Sequence, residues 1–398
     1  MGAGHSHRAG DDFEVPRLRR VVLLWALGLT ALATVVGVVL LWPDGGEVDE
    51  VRQTDSFAAP GVTFPEAVVN EAEPACADPA PSDTCGAVSV TISEGNDKGT
   101  KVRVVVPPEV SESGLQQGDT IRVISKPKTD DAPETHSYFG TVRSGTLWVL
   151  AILFVVVVLA VARLRGLFAL IGLGFTAVVA WTFMLPALLV GESPLLVALV
   201  GCTAIMFVVL YTTHGVSIRT SAALAGTLLG VGLTAGLGVV FVGASRLTGV
   251  ADESGHVLRS FVDNLGFQGL LACAVVIAGL GVLNDVTITQ ASSVFELRAA
   301  APAAPRRHLF ASAMRIGRDH IASAIYTILF AYAGTALLVL LVLQLYGLPM
   351  HVLLSTEEIA QEVVRSLVTS LGLVLAVPVT TALGVLIASP SGAGESDR

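Results

Sequence analysis

Residues 279–297 read GLGVLNDVTITQASSVFEL, and residues 315–334 read RIGRDHIASAIYTILFAYAG. Both join apolar runs long enough to enter a bilayer, yet the first carries Asn284, Asp285, Thr287, Thr289, Gln290, Ser292, Ser293 and Glu296 in one segment. A polar group in hydrocarbon has no water to bond and costs several kcal/mol, so this side of the segment must face protein or a wet cavity. On a helix, Asp285, Thr289, Ser292 or Ser293, and Glu296 fall near one face because positions i, i+4, i+7 and i+11 nearly align, and Thr287 and Gln290 are expected to flank it. Arg315, Asp319, Ser323, Tyr326 or Thr327, and Phe330 align likewise on the second segment. The connection over residues 298–314 is short, which predicts antiparallel neighbours. Glu296 or Asp319 is then expected to pair with Arg315 or Arg318 at the cytoplasmic membrane edge.

Working outward, the chain has 398 residues, 53% of them hydrophobic and 14% charged, with a mean hydropathy of +0.71. That balance belongs to a polytopic membrane protein. The formal charge of −9 is unevenly placed: residues 44–143 hold 18 acidic and 8 basic residues, a net −10, which leaves +1 for all the rest. The acidity therefore sits in one hydrophilic insert, and no nucleic-acid partner is expected. Arg outnumbers Lys 20 to 4, as in proteins of GC-rich bacteria.

Eight apolar runs near the ~20 residues that cross a bilayer follow one another. They cover residues 21–42, 146–162, 167–190, 195–211, 221–247, 268–297, 321–346 and 363–388. The first ends in Trp42-Pro43-Asp44 with no small-residue cleavage site, so it reads as a retained helix rather than a signal peptide. Putting the N-terminus inside leaves Arg163, Arg165, Arg219, Arg298, Arg306, Arg307, Arg315 and Arg318 on the cytoplasmic side. The expected architecture is an α-helical polytopic membrane protein of eight transmembrane helices, with a small extracytoplasmic antiparallel β-domain between helices one and two. Residues 1–20 form a cytoplasmic tail, 21–42 helix one, 44–145 the β-rich domain, 146–388 a seven-helix bundle and 389–398 a second cytoplasmic tail. The expected location is the bacterial plasma membrane.

Within the insert, alternation places Val88, Val90 and Ile92, then Val102, Val104 and Val106, then Ile121, Val123 and Ile124 on strands punctuated by glycines 95, 99, 114 and 118. This predicts a barrel or sandwich of about five strands, similar to the OB type. The acidic charge argues against oligonucleotides and for a docking or assembly role. Cys76 and Cys85 in ACADPAPSDTC favour a local disulfide in an exterior compartment, whereas Cys202 and Cys273 read as small buried hydrophobes. Residues Ala222, Gly226, Gly230, Thr234 and Gly238 recur every four positions, a stripe that lets helix backbones approach closely.

The order of features resembles the YibE/F family of bacterial multi-pass membrane proteins. The pieces that carry the resemblance are Tyr138-Phe139 through Arg143, LRGLFALIGL at 164–173, GESPLLVAL at 191–199, THGVSIRT at 213–220, LNDVTITQASSVFEL at 283–297, and RIGRD with TILFAYAG. Asn284 and Tyr326 stand where that family's methionine and asparagine would be expected. The resemblance implies the architecture above and brings no mechanism.

Function is then expected from the polar pair of helices. An ionised aspartate near the bilayer centre costs about 2.5–3.5 kcal/mol, so intramembrane carboxylates mark functional sites. The pathway residues of a small-solute or ion transporter would be Asn284, Asp285, Thr289, Gln290, Ser292, Ser293, Glu296, Tyr326 and Thr327, with Arg315, Arg318 and Asp319 as a cytoplasmic charge cluster. The alternative is that these groups only hold helices together, through bonds worth about 0.6 kcal/mol each. A scaffold that captures a partner with its exterior β-domain is the competing class. No HExxH, GxSxG or phosphate-loop motif is present, the histidines lack metal-ligand spacing, and Asp285 has no companion carboxylate at its depth. Neither an enzyme, a cofactor nor a bound metal is expected. The expected partners are the bilayer, an extracytoplasmic protein and a second copy of the chain.

Overall fold

Apolar sequence becomes helix wherever a run exceeds about 18 residues, because only an α-helix satisfies every backbone polar group within one segment. The computed structural model describes residues 15–54, 61–76, 85–95, 97–127, 133–262 and 265–388. The tail over 389–398 and most of that over 1–20 lie outside the described residues. The chain begins as α1 (Arg17–Leu40) and α2 (Gly45–Thr54). Next come β1 (Glu66–Ala72), β2 (Ala87–Ile92), β3 (Lys101–Val105), the short α3 (Pro108–Ser111), β4 (Thr120–Lys126) and β5 (Thr135–Thr141). Then α4 (Ser144–Val179) runs through a π-helical turn, Ala180–Met184, into α5 (Leu185–Leu189). The remaining helices are α6 (Pro194–His214), α7 (Ile218–Ala244), α8 (Glu253–Phe261), α9 (Phe267–Ala300), α10 (Arg306–Thr335), α11 (Leu337–Leu345), α12 (Met350–Leu353) and α13 (Glu357–Ala388).

Among the described residues six helices are long and apolar enough to cross a membrane, or seven if the bent pair α10 and α11 is one span. This count differs from the eight runs of the sequence for a local reason. The runs at 146–162 and 167–190 join into one 46-residue helical stretch, interrupted only at Arg163, whose φ of 52° and ψ of −130° are not helical. The run at 321–346 breaks instead, because α10 and α11 meet at 61°. The chain divides into two compact units at that arginine, one comprising Ser56–Arg163 and the other Met1–Asp55 with Leu164–Arg398.

In the smaller unit the five strands form one antiparallel sheet in the order β3-β2-β1-β4-β5. Alternation does the sorting: Val69, Val88, Val90, Ile92, Val104, Ile121 and Val123 all point into one core. Val90 sits opposite Val69 on one side and Val102 on the other, which fixes the register. Position 125 continues the inward phase of β4, so the buried residue there is Ser125, bonded to His136 Nδ1 at 2.7 Å, and Ile124 turns partly outward. Glycines 95 and 99 carry the β2–β3 turn with φ of 79° and 89°, a region that side chains with a Cβ avoid. Cys76 and Cys85 are joined as a disulfide, with Cα atoms 5.1 Å apart.

Arg103 on β3 grips Glu73, with Nε donating to Oε1 at 2.8 Å and Nη2 to Oε2 at 2.6 Å. Those bonds hold the Glu73 carboxyl below its ordinary value of 4.5. A carboxyl with a depressed folded pKa adds stability that is present above the unfolded value and lost as pH falls. Melting of the β-domain in the full chain should therefore weaken on acidification below about pH 4.5, and Glu73→Gln should flatten that acid limb while leaving melting at low pH unchanged. Thermal melts across pH 3–7 would check this.

The larger unit is built on α7, α9 and α13. The small-residue stripe of α7 is buried, and each glycine receives a side chain from a neighbour. A Cβ at Gly226 would overlap Thr380, one at Gly372 would overlap Thr234, and one at Gly230 would meet Ala376 and Leu283, each at 3.0 Å. Threonines seated on glycines bring three backbones together without leaving hydroxyls in lipid. Outside this trio, α6 packs on α9 and α7, α1 packs on α6 through Gly37 and Val200, and α10 packs on α9 and α13. The apolar side chains of α4 stay almost wholly uncovered by protein, as lipid-facing helix requires.

Candidate functional site

The polar residues of α9 divide between two opposite faces. Five residues separate Asp285 from Gln290, so at about 100° per residue the two point about 140° apart. Gln290 is 1% exposed, and its Nε2 donates to Ala313 O on α10 at 3.0 Å and to Thr381 Oγ1 on α13 at 2.7 Å. Thr287 is also buried, its hydroxyl 2.6 Å from that of Thr227 on α7. Neither flanks the Asp285 face as the sequence suggested: both hold the bundle together. Asn284 is half-buried, with its Oδ1 unpartnered. Thr289 and Ser293 return their hydroxyls to their own helix, to Asp285 O at 2.8 Å and Thr289 O at 2.9 Å.

The other face of α9 meets the end of α6 and the start of α7. Gly215, at a φ of 76°, stops α6, and Ser217 caps α7 by accepting from Thr220 N at 3.1 Å. This turn presents His214 and Arg219 to α9. Arg219 Nη1 donates to Glu296 Oε1 at 3.3 Å, and Asp285 lies within electrostatic range of His214. Ser292 and Ile288 complete a pocket of about 300 Å³ with Arg165, Thr213, His214 and Arg219.

Two expectations are corrected here. Glu296 pairs with Arg219, and no ion pair among the described residues involves Arg315, Arg318 or Asp319. The reason is angular: the Gln290 face of α9 meets α10, and Glu296 stands about 120° from it. Nor does a polar passage run between α9 and α10 at this level. Gly317 is packed so closely that a Cβ there would sit 2.8 Å from Gln290 Oε1 and from Val377 Cγ1. On α10, Arg315, Arg318, Asp319, Tyr326 and Thr327 are all exposed, with Thr327 Oγ1 bonded to Ser323 O at 3.0 Å.

A second cavity, of about 760 Å³, opens where the other end of α9 meets α10, α11 and the start of α13. Its polar lining includes Asp252, Tyr332, Glu358, Gln361, Glu362 and Arg365. Arg365 Nη1 donates to Glu362 Oε1 at 2.8 Å. Glu357 accepts from Thr248 N at 2.7 Å and Gln361 Nε2 at 2.9 Å, which ties the α7–α8 loop to α13. The cavity reaches along α9 as far as Val282 and along α10 as far as Thr327. From Val282 to Ile288, the nearest residue of the His214 pocket, is six residues, about 9 Å of helix. Asp285 lies midway.

A family model described as YibE/F-like protein matches residues 150–390. The chain belongs to the YibE/F-like family. No curated protein and no solved structure is similar to it. The segments that carried the family resemblance converge on the smaller pocket. Arg165 comes from LRGLFALIGL, Thr213, His214 and Arg219 from THGVSIRT, and Ile288 and Ser292 from LNDVTITQASSVFEL. The cations of that pocket were visible in the sequence as orientation signals only, and nothing in linear spacing tied residue 214 to residue 285. Glu362 and Arg365, three apart at the head of an apolar run, were the one local signal of the larger cavity.

Proposed function

We propose that this YibE/F-like protein is a membrane transporter or permease for a small solute or ion, acts without enzymatic chemistry, and uses Asp285 as the group its substrate must pass. The observation that carries this reading is the pair of polar cavities approaching Asp285 from the two ends of α9, separated by about 9 Å of helix. One closed barrier between two wet cavities is what alternating access requires. The path winds around α9, entering beside α10 and α13 and leaving beside α6 and α7.

In this reading the chain crosses the bacterial plasma membrane eight times, with Arg163 ending one crossing and opening the next. Both termini are cytoplasmic, and so are Arg163, Arg165 and Arg219. The His214 pocket then opens inward and the Arg365 cavity outward. That domain's strand order and short α3 between β3 and β4 support an OB-like barrel. A second reading, an assembly protein that docks a partner on this domain, is favoured by one observation. Phe139 is half exposed on β5, edge-on to Phe64 with ring centroids 5.0 Å apart.

Thiol labelling in sealed vesicles tests the two-sided arrangement. Cys202 and Cys273 are buried and Cys76 is bonded to Cys85, so a new thiol is read against a quiet background. A membrane-impermeant maleimide should modify Ser292→Cys only from the cytoplasmic face and Thr335→Cys only from the opposite face. Modification of both from one side would overturn the transport path and leave the assembly reading.

A further inference from the structure

A third cavity, of about 680 Å³, lies between α1, α7 and α13. All of its described lining residues except Arg19 and Thr30 are Leu, Ile, Val or Ala, and Thr30 turns its hydroxyl back to Ala26 O at 2.9 Å. Water would therefore find no side-chain partner along these walls, and an unfilled trough would forfeit its dispersion contacts. The helices leave it open because α1 closes on the bundle at its other end, where Gly37 meets Val200, and packs mainly on α6 and α7. At the near end α1 meets α13 through Arg19, whose Nη1 donates to Leu386 O at 2.7 Å in the last turn of α13. We propose that this groove is a lipid site, which seats one acyl chain of an anionic phospholipid and holds the lipid phosphate at Arg19.

Length and charge select this occupant. Arg19 to Thr30 spans eleven residues of α1, about 16 Å, which is the depth of one leaflet of a hydrocarbon core about 30 Å thick. Arg19 therefore stands at headgroup level, near the start of α1, and the apolar walls reach toward the bilayer centre. Leu23 and Leu27 form a buried floor, whereas Leu18, Leu229 and Leu386 are exposed on the rims, so the groove opens sideways to a lipid chain. A guanidinium is a planar fork of N–H donors that matches a phosphate. Arg306, at the start of α10, lies within electrostatic range of Arg19, and Arg17 and Arg20 are exposed on the same turn of α1. The carbonyl end of α13 opposes an anion with about half a charge, and Arg19 already sits on it. No acidic side chain is among the described residues of the lining, so a net negative headgroup is favoured over one that carries its own cation. The site rests on the membrane-spanning reading and is independent of the path past Asp285.

Native mass spectrometry of the full chain, washed free of native lipid in mild detergent, tests the site with two probes of identical acyl chains, phosphatidylglycerol and phosphatidylcholine. The unaltered chain should retain one phosphatidylglycerol at a concentration about tenfold or more below that needed for phosphatidylcholine, since each cation near a headgroup favours an anionic one by about fivefold. Arg19→Gln should shrink that preference by about fivefold. Leu229→Trp, which fills the groove from its exposed rim, should lower retention of both lipids alike. The comparison of the two lipids on the unaltered chain depends on no variant's folding. Equal retention of the two lipids, an undiminished preference in Arg19→Gln, or full retention in Leu229→Trp would each overturn the site. A doubled mass in place of the lipid adduct would overturn it as well, by seating a second copy of the chain in the groove.

Discussion

Asp285→Asn should lower flux through the reconstituted protein by on the order of 10- to 100-fold while leaving the chain folded. The magnitude follows from what the substitution removes. A bond or close contact made by a charged group contributes roughly 1.5–3 kcal/mol, and each 1.4 kcal/mol is about tenfold. Asn keeps the shape of the side chain and removes only its charge, and no side-chain partner on a neighbouring helix is lost at this exposed position. The measurement is the entry of protons, reported by an entrapped pH dye, and of alkali cations into liposomes holding the full chain. Gln290→Met should behave differently: it disturbs the α9–α10–α13 contact and so lowers stability without abolishing flux. Unchanged flux in the Asn variant would remove Asp285 from the path.

Gly372→Ala should destabilise the bundle by about 1–3 kcal/mol, the range for overpacking a filled interface. For a unit of this size that amounts to a melting temperature lower by roughly 2–10 °C. A Cβ at 372 would overlap the Thr234 hydroxyl and approach its Cβ at 3.0 Å and its Cα at 3.3 Å. The hydroxyl has no easy escape, since it is bonded to Gly230 O at 2.9 Å. Adding Thr234→Ala removes the oxygen that clashes most and should recover much of the loss. Gly236→Ala is the control: nothing lies within 4 Å of its added Cβ, so the helix should be unchanged or slightly firmer. Equal losses at 236 and 372 would show that helix propensity, not the α7–α13 contact, sets the effect.

The legible part of the fold was whatever a single element encodes by itself. Apolar length predicted the long helices, period-two alternation predicted β2, β3 and β4, and the four-residue stripe predicted the close-packed side of α7. Two strands, β1 and β5, passed unnamed, because EAVVNEA and THSYFGT alternate too weakly to stand out. The site was half legible. Asp285, Ser292 and Glu296 do share a face, as helical spacing requires, but their neighbours were assigned to the wrong helix.

That error has a plain physical origin. Sequence by itself determined which residues of α9 are polar and at what angles they leave the helix, because both follow from residue identity and a rotation of about 100° per position. Only the tertiary structure decided which face meets which neighbour. A short connection makes α10 adjacent to α9 but does not say on which side. The side is set by the Gly317 and Ala313 backbone closing on Gln290, which sends Glu296 to Arg219 and leaves Arg315 and Asp319 facing outward.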